Sequence, residues 1–359
     1  MPKINKPKGE WTIHDIAREL GVSAKTVSRV LNHKDGVGPE LREKIQRLMD
    51  EVGYQPHLGA RSLRTRVSTC IGVTMPVGPE SAPLSQNFVL WIVEQIYAAF
   101  GRLGEYVCMD LNPRAGIDAG DYGRGIWQHL FKACVIAGPL PVDDRILRRI
   151  HDSGARYVVF SRLDSVPEAN CAVVDYERAA YESTRYLIER GHRRIAILRS
   201  FEGLNPGLER LRGYKRALEE AGIPFDERLV RSVGLSTDSV AAGTHFLLTQ
   251  EGVTALIDSS SMEDGDSLKE GAARAGKHFG ENGIELVAWT YLKDMAVCRE
   301  ASAHVWLPMR ESAREGVMML ADRVYGRAEG PIHVVYPPVL QPYPIEQLLP
   351  TPKRFFYQE

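Results

Sequence analysis

The segment Thr12–Asn32 constrains the fold of this chain most strongly, because its pattern predicts two short helices joined at Gly21. Apolar residues at positions 13, 16, 17 and 20 follow the i, i+3, i+4 and i+7 spacing of one helical face. Thr12 and Asp15 have the spacing of a capping pair, in which the threonine accepts a main-chain amide and the acid lies in the first turn. The segment therefore predicts a helix-turn-helix.

The second predicted helix has one apolar and one polar side. Ser23 can cap it after Gly21, and its buried side consists of Val27, Val30 and Leu31. The other side carries short, polar or cationic groups: Ala24, Lys25, Ser28, Arg29 and Asn32. Such groups suit the base edges and phosphates of a nucleic acid.

A third helix is predicted to begin at Gly38-Pro39, since proline is tolerated in the first turn of a helix. It runs to Gly53, and its apolar residues are Leu41, Ile45, Leu48, Met49 and Val52. Three helices of this size can close one small core. The first part of the chain is therefore expected to fold as a small all-α domain.

The charges of the chain are divided unevenly. Residues 1–69 contain 13 lysines and arginines and 8 aspartates and glutamates, a net charge of +5, whereas the whole chain of 359 residues has a net charge of −1. Residues 70–359 therefore carry −6. A basic N-terminal segment followed by an acidic remainder suits a DNA-binding domain joined to a regulatory domain. The alternative is a small helical subdomain that binds nothing, which leaves this asymmetry unexplained.

Five motifs follow one another along the first part of the chain: Ile13-His-Asp-Ile-Ala17, Gly21-Val-Ser23, Thr26-Val-Ser-Arg-Val-Leu-Asn32, Gly53-Tyr-Gln-Pro56 and Ala60-Arg-Ser-Leu63. In this order they resemble the headpiece of the LacI/GalR family of bacterial transcription regulators. The resemblance continues more loosely towards residue 340. It implies a headpiece over residues 1–55. Its implied base contacts in the major groove are Ala24, Lys25 and Arg29. Its implied phosphate contacts are Thr12, Ser23, Thr26, Ser28 and Asn32.

The resemblance also implies a hinge helix or linker at residues 56–67. In the family this segment is disordered without operator and becomes helical when operator is bound. It then enters the minor groove, and Ala60 and Leu63 match the residues that do so. His57 stands where asparagine is frequent, and Gly59 costs a helix about 1 kcal/mol relative to alanine. We therefore expect a weak hinge helix without DNA, so that operator affinity depends strongly on the effector. Alternatively, Leu63 is one apolar residue in a basic linker.

Beyond residue 68, six short apolar runs alternate with helical stretches: Ile71-Gly-Val-Thr, Tyr106-Val-Cys-Met, Ala133-Cys-Val-Ile-Ala, Tyr157-Val-Val-Phe, Ile195-Ala-Ile-Leu and Ala255-Leu-Ile. This alternation predicts parallel sheets covered on both faces. The length of this part of the chain fits two lobes rather than one. Ligands in such folds lie outside the carboxyl ends of the strands, which places them in the cleft between the lobes.

The resemblance implies the same architecture, an α/β core of two Rossmann-like lobes similar to periplasmic binding proteins. Three stretches carry it most clearly: Val174-Asp-Tyr176, Tyr186–Leu198 and Arg210–Leu218. The chain of that fold crosses between its lobes three times, and we place the crossings near residues 163, 290 and 325. The predicted N-terminal lobe is then 68–162 and 291–325, the C-terminal lobe 163–290 and 326–345, and the tail 346–359.

Arg210 is the predicted anchor of the effector, because the resemblance places the family's effector-binding arginine three residues before Gly213. The alternative is an arginine on a solvated helix face. Phe201, on the loop after the strand at Ile195–Leu198, is a candidate for stacking on a ligand, and an exposed loop phenylalanine explains it equally well. The remaining predicted effector contacts are Ser161, Ser261, Trp289 and Thr290.

The predicted cleft departs from the pattern of sugar-responsive family members, which carry an acidic residue at three places. This chain has Ser161 at the first place, serines ending at Ser261 at the second and Ala288-Trp-Thr290 at the third. Because a carboxylate accepts two hydroxyl hydrogen bonds at once, these changes weaken the case for a neutral hexose. They favour an anionic ligand such as a sugar acid, and equal or better binding of neutral sugars would contradict this expectation.

No sequence motif points to an enzyme, a cofactor or a metal. The chain lacks a nucleophile elbow, a P-loop, a His-Glu-x-x-His motif and a kinase signature. Glu263, Asp264 and Asp266 fit a helix N-terminus better than a cation loop. The 5 scattered cysteines indicate a reducing compartment. Without a signal peptide or an 18-residue apolar run, the prediction is a cytoplasmic protein with no membrane partner.

The predicted partners are a double-stranded DNA operator, a small-molecule effector and a second copy of the chain. One headpiece covers only half a site and Leu63 needs a symmetry mate, so we expect a two-fold dimer on a pseudo-palindrome. The helix Phe88–Phe100 is the candidate dimer surface, and ordinary packing on the sheet is its alternative. The prolines of the tail and the lack of heptads predict no tetramerising coiled coil.

Together these features predict a transcription regulator, more consistent with a repressor than an activator, in which lobe closure around a sugar or sugar acid alters DNA binding. Such coupling is reciprocal, so the operator must change effector affinity by the same factor. The alternative is a cytoplasmic or transported solute-binding protein without operator activity. A third possibility, an architectural DNA-bending protein, would need no cleft and would not bind a small molecule saturably.

Overall fold

The computed structural model describes residues 6–8, 10–31, 34–55, 68, 70–76, 86–101, 105–110, 121–292 and 297–342. The chain divides into two compact units, Met1–Val67 and Ser68–Glu359. Within the described residues, no helix is long and apolar enough to span a membrane.

The described residues of the first unit form a three-helix domain. Its helices are α1 (Ile13–Glu19), α2 (Ala24–Leu31) and α3 (Pro39–Val52). Ile16, Val27, Val30 and Ile45 are buried together in its core, as the helical spacing predicts. Pro39 lies in the first turn of α3, and Gly53 ends that helix in the left-handed conformation with φ of 62°. The predicted helix-turn-helix is confirmed.

The described residues of the second unit form two six-stranded sheets. The strands of the first sheet are β1 (Cys70–Thr74), β2 (Tyr106–Asp110), β3 (Phe131–Ile136), β4 (Tyr157–Val159), β5 (Cys171–Val174) and β11 (His333–Tyr336). Their order is β11-β5-β4-β3-β1-β2, and all neighbours are parallel. This sheet is the centre of the first lobe.

The second sheet is the centre of the second lobe. Its strands are β6 (Ile195–Arg199), β7 (Val230–Ser232), β8 (Ala255–Ser259), β9 (Glu285–Thr290), β10 (Ala303–Trp306) and β12 (Val339–Pro342). Their order is β12-β10-β9-β8-β6-β7, with only the edge strand β12 antiparallel. All six apolar runs singled out in the sequence are strands, and the predicted parallel sheets are confirmed.

Helices cover both faces of each sheet. In the first lobe they are α4 (Gln86–Phe100), α5 (Arg124–Trp127), α6 (Arg145–Asp152) and α11 (Met309–Val324). In the second lobe they are α7 (Tyr176–Glu189), α8 (Asn205–Glu220), α9 (Thr237–Leu248) and α10 (Gly265–Arg274). Two separate apolar clusters fill the space between sheet and helices in each lobe.

The chain crosses between the lobes later than we predicted. Strand β5 pairs with β4 and β11 in the first sheet, so the first crossing is at Asp175 rather than near residue 163. Strand β10 pairs with β9 in the second sheet, which places the second crossing after Trp306 rather than near residue 290. The third lies between Tyr336 and Val339 rather than near residue 325, because β11 still belongs to the first sheet. The predicted lobe boundaries are wrong because strand partners are chosen over long sequence distances.

Candidate DNA interface and effector site

Helix α2 presents its cationic side chains away from the core. Val27 and Val30 are buried, whereas Lys25 and Arg29 are exposed. Lys25 and Arg29 are four residues apart and therefore lie on one face of the helix. The predicted base-contact residue Ala24 is half-buried beside them. This face therefore offers two exposed cationic donors, and their contact with bases stays a prediction.

Ser23 and Thr26 hold the start of α2. The Ser23 hydroxyl oxygen accepts the amide of Thr26 at 3.1 Å, and the two hydroxyl groups lie 2.8 Å apart. The predicted cap is therefore present. Ser28, a further predicted phosphate contact, is half-buried on the same helix. Asn32 lies outside the described residues, as do the hinge residues Ala60 and Leu63, and their roles stay predictions.

The start of α1 carries the predicted capping box. Asp15 accepts the main-chain amide of Thr12 at 2.9 Å and its hydroxyl at 2.7 Å, while the Asp15 amide donates to the Thr12 hydroxyl. The ammonium group of Lys6 lies 2.8 Å from the same carboxylate. The hydrogen bonds from Lys6 and Thr12 hold the pKa of Asp15 far below its usual range, because they stabilise the charged form. Thr12, a predicted phosphate contact, is exposed at this end of the helix.

The loop between α2 and α3 lies beside Arg29. Gly36 has φ of 89°, and a Cβ atom there would lie 3.6 Å from Cζ of Arg29. The glycine suits the left-handed turn, while the contact of such a Cβ atom with the guanidinium would be an ordinary one. The turn at Gly36 therefore lies next to the Arg29 side chain.

In the second lobe, Arg210 on α8 is completely buried. Its Nε donates to the carbonyl of Ser259 at 3.2 Å and its Nη1 to the carbonyl of Pro206 at 2.9 Å. Its Nη2 donates to the Ser261 hydroxyl at 3.0 Å and reaches the Tyr291 hydroxyl at 3.5 Å. The alternative interpretation, an arginine on a solvated helix face, is thereby excluded.

Three aromatic rings surround the Arg210 guanidinium. Its Cζ lies 4.3 Å from the ring centre of Tyr176, 5.2 Å from Trp289 and 5.3 Å from Phe201. Tyr176 and Trp289 are themselves stacked, with 6.3 Å between ring centres. Each ring face attracts a cation, and the effect strengthens where water is excluded. Of the predicted effector contacts, Phe201, Trp289 and Ser261 therefore converge on Arg210.

Thr290 joins this group indirectly. Its hydroxyl donates to Glu263 at 3.0 Å, and the same carboxylate oxygen accepts the amide of Tyr291 at 2.5 Å. Tyr291 in turn lies 2.8 Å from the Ser261 hydroxyl. Ser261 and Glu263 both have positive φ, 66° and 53°, a conformation that costs a residue other than glycine free energy and clusters at functional sites.

Ser161 lies apart from this group, at the lobe boundary. Its hydroxyl accepts the amide of Leu140 at 3.4 Å. The carbonyl of Leu140 accepts the amide of Asn205, the first residue of α8, at 2.8 Å. Ser161 is therefore linked to the second lobe through Leu140. No described hydrogen bond joins Ser161 to Arg210.

A charged contact between the lobes was not predicted from the sequence. Arg162 of the first lobe lies 3.0 Å from Glu209 on α8 and 3.5 Å from Asp175 at the first crossing. Asn205 also donates to the carbonyl of Arg162. Burial raises the pKa of Glu209, and Arg162 opposes this by stabilising the carboxylate. These partners come from elements far apart in sequence, so no local motif could have identified them.

The structure confirms the interpretation of the acidic cluster in the second lobe as a helix N-terminus. Asp264 is the N-cap of α10, and its side chain accepts the amides of Asp266 and Ser267. In the described part of the chain, no group of three or more histidine, cysteine, aspartate or glutamate side chains is arranged to hold a metal ion.

Comparison with known proteins decides the family. Residues 12–57 match the bacterial regulatory proteins of the lacI family, and residues 109–250 match the periplasmic binding proteins and sugar binding domain of the LacI family. The HTH-type transcriptional regulator CelR of Thermobifida fusca is 30% identical over 332 residues, which cover 90% of this chain and 95% of CelR. The chain belongs to the LacI family. Residues 184–342 of this LacI-family protein also match a periplasmic binding protein-like domain.

Solved structures agree with the fold of this LacI-family chain. A CelR–cellobiose complex covers 92% of the chain and 98% of its own, at 25% identity and a TM-score of 0.59. The lac repressor dimer bound to operator and the anti-inducer ONPF covers 93% of the chain and 98% of its own, at 24% identity and a TM-score of 0.70. The predicted headpiece and two-lobed core, similar to periplasmic binding proteins, are thereby confirmed.

Proposed function

We propose that this LacI-family protein is a repressor that binds a pseudo-palindromic DNA operator as a homodimer. A small molecule, a sugar or sugar acid, binds between the lobes of the core and alters the affinity for operator. The observation that carries the proposal is the α2 face with exposed Lys25 and Arg29 opposite buried Val27 and Val30. Arginine and lysine at such positions donate to guanine O6 and N7 in the major groove.

The buried arginine supports an effector site in the second lobe. Arg210 is held by main-chain carbonyls and hydroxyl groups, and the described residues form no ion pair with it. A ligand hydroxyl or carboxylate can replace the Ser261 and Tyr291 contacts without leaving the guanidinium unpaired. Cellobiose in the CelR complex supports a carbohydrate as the ligand class of this chain.

Helix α4 supports the homodimer. Its inner face buries Ile92 and Ile96, whereas Leu90 is 64% exposed and Tyr97 is 74% exposed on its outer face. Val93 is also exposed there. Apolar side chains grouped on one helix face are typical of an interface. The operator-bound lac repressor is a dimer, which supports a two-fold arrangement here.

In-vitro selection of the full chain against randomised duplexes, at one stated salt concentration, tests this proposal. We expect enrichment of a two-fold palindrome with a flexible pyrimidine–purine step at its centre, because a hinge inserted into the minor groove unstacks such a step most easily. Salt is fixed because phosphate contacts make affinity steeply dependent on it. Failure to enrich any sequence, with and without sugars and sugar acids, would favour a solute-binding protein without operator activity.

A further inference from the structure

A second buried arginine lies beside Arg210. Arg199, the last residue of β6, is 8% exposed, and its buried Nε has no hydrogen-bond partner among the described residues. Its Nη1 donates to the carbonyl of Gly207 at a long 3.3 Å. Its only described ion pair is with Glu202, at 3.7 Å, and the Glu202 side chain is 75% exposed. A guanidinium with so few partners is poorly compensated for its loss of water.

The two arginines meet at the same turn of α8. Arg199 donates to the carbonyl of Gly207, and Arg210 donates to the carbonyl of the preceding residue, Pro206. Burial lowers the pKa of Arg199, and the nearby charge of Arg210 lowers it further, although Glu202 opposes both effects. Two cations therefore share one small region of the second lobe.

Among the described residues, no buried carboxylate forms an ion pair with Arg199 or Arg210. Glu209 is committed to Arg162 at the lobe boundary. Asp258 pairs in register with Leu198, so it faces the opposite side of the sheet from Arg199. Burial raises the pKa of Asp258, although hydrogen bonds from Ser260 and the charge of Arg210 oppose this rise. Glu202 remains as the one described carboxylate that pairs with Arg199, and its side chain is exposed to solvent.

We propose that Arg199 and Arg210 together bind an anionic group of the effector, a carboxylate or a phosphate. The inference rests on the proposed function, since it takes the region around Arg210 as the effector site. Ser200 and Ser261, whose hydroxyl groups lie 3.4 Å apart beside the arginines, supply neutral donors to the same group. A neutral sugar would add no counter-charge to the exposed Glu202, whereas an anion can replace Glu202 and offer an acceptor to Nε of Arg199.

Ligand binding to the full-length protein tests the inference at constant ionic strength. The anionic probes are inorganic phosphate, gluconate and glucose 6-phosphate, and the neutral probes are glucose and cellobiose, each titrated to millimolar concentration by calorimetry. We expect at least one anion to bind more tightly than either neutral sugar. Arg199→Gln should lower the affinity for that anion by about tenfold or more, which is the loss expected for one charged hydrogen-bonding group. Arg199→Lys should restore part of the affinity.

Glu202→Gln provides a test that does not depend on a buried position. Glu202 is exposed, so the variant should fold normally, and it removes the carboxylate that competes for Arg199. We expect it to bind the anion more tightly than the parent protein. A merely structural Arg199 would not produce this gain.

Three outcomes would overturn the inference: no anion of the panel binds, a neutral sugar binds at least as tightly as any anion, or anion affinity is unchanged in both Arg199→Gln and Glu202→Gln. Operator selection distinguishes these failures from failure of the proposed function. If a palindrome is enriched but the anions fail, the regulator stands and only its ligand class is wrong. If no sequence is enriched while an anion binds, the proposed function fails and the anion site stands.

Discussion

At the scale of single residues, the same side-chain type has different energetics in different surroundings. Arg210 is fully buried with hydrogen bonds to carbonyl and hydroxyl oxygens, whereas Arg212, two residues further along α8, has a side chain that is 40% exposed. Arg212 pairs with Asp164 and Glu177 at the surface. Removing a buried donor is costly because the buried acceptors left behind have neither a hydrogen bond nor water. Exposed ion pairs, by contrast, contribute little to stability.

We expect Arg210→Ala to destabilise the core by about 2–4 kcal/mol, because it leaves buried oxygens unpaired and opens a cavity among aromatic rings. Arg212→Ala is the matched control and should cost less than about 1 kcal/mol. Urea unfolding of both variants measures the difference. Equal losses of unfolding free energy in the two variants would show that Arg210 has no special structural role.

Asp15 makes the stability of the first unit depend on pH. Its pKa is lower in the folded state than in the unfolded state, so its contribution is present above the unfolded pKa of about 4 and is lost as the pH falls below it. We expect Asp15→Asn to remove this part of the acid sensitivity, as measured by urea unfolding of residues 1–67 at several pH values. Glu43→Gln is the control, since the Glu43 side chain is exposed and pairs with the exposed Arg47. Unchanged acid sensitivity in Asp15→Asn would contradict the assignment.

At the scale of elements, close helix packing explains a glycine in the Arg210–Leu218 stretch. A Cβ atom on Gly213 of α8 would lie 1.9 Å from the carbonyl oxygen of Glu177 on α7. Main chain cannot yield as a flexible side chain can, so the two helices would have to separate. The glycine is required by the contact between α7 and α8.

Gly213→Ala should therefore cost about 3 kcal/mol or more of unfolding free energy, or prevent folding. Gly234→Ala is the matched control, because its Cβ atom would make only an ordinary 3.7 Å contact with the Ser239 hydroxyl. Thermal and urea unfolding distinguish the two. A Gly213→Ala protein as stable as the control would show that the helices can adjust without loss.

Local sequence pattern predicts the helices and strands, but it does not predict contacts between residues that are far apart in the sequence. Helices α1 to α3 and the caps at Thr12 and Ser23 follow from spacing within a few residues, so the sequence could predict them. Sheet membership depends on pairing across more than a hundred residues, as in β5 with β11, and the predicted crossings were wrong for that reason. Arg210 was identifiable from a motif, whereas Tyr176, Tyr291 and Arg199 join its site only through folding.

At the scale of the whole molecule, the proposed dimer depends on the outer face of α4. Tyr97→Glu should weaken self-association, because Tyr97 is 74% exposed there and a charge in an apolar interface is costly to desolvate. Phe225→Glu is the control, since Phe225 is also exposed but lies in the second lobe beside Lys215. Sedimentation velocity should show the first variant shifted towards monomer and the second unchanged. A Tyr97→Glu variant that remains dimeric would place the interface elsewhere.

The most direct test of DNA recognition by α2 is the affinity of the selected operator duplex for three proteins at two salt concentrations. The parent chain is compared with Arg29→Ala and with Lys44→Ala, which removes an exposed cation from α3 instead. We expect Arg29→Ala to lose about 1–3 kcal/mol of discrimination between the operator and a scrambled duplex. Lys44→Ala should keep that discrimination. Equal discrimination by all three proteins would contradict the claim that this face of α2 recognises the operator sequence.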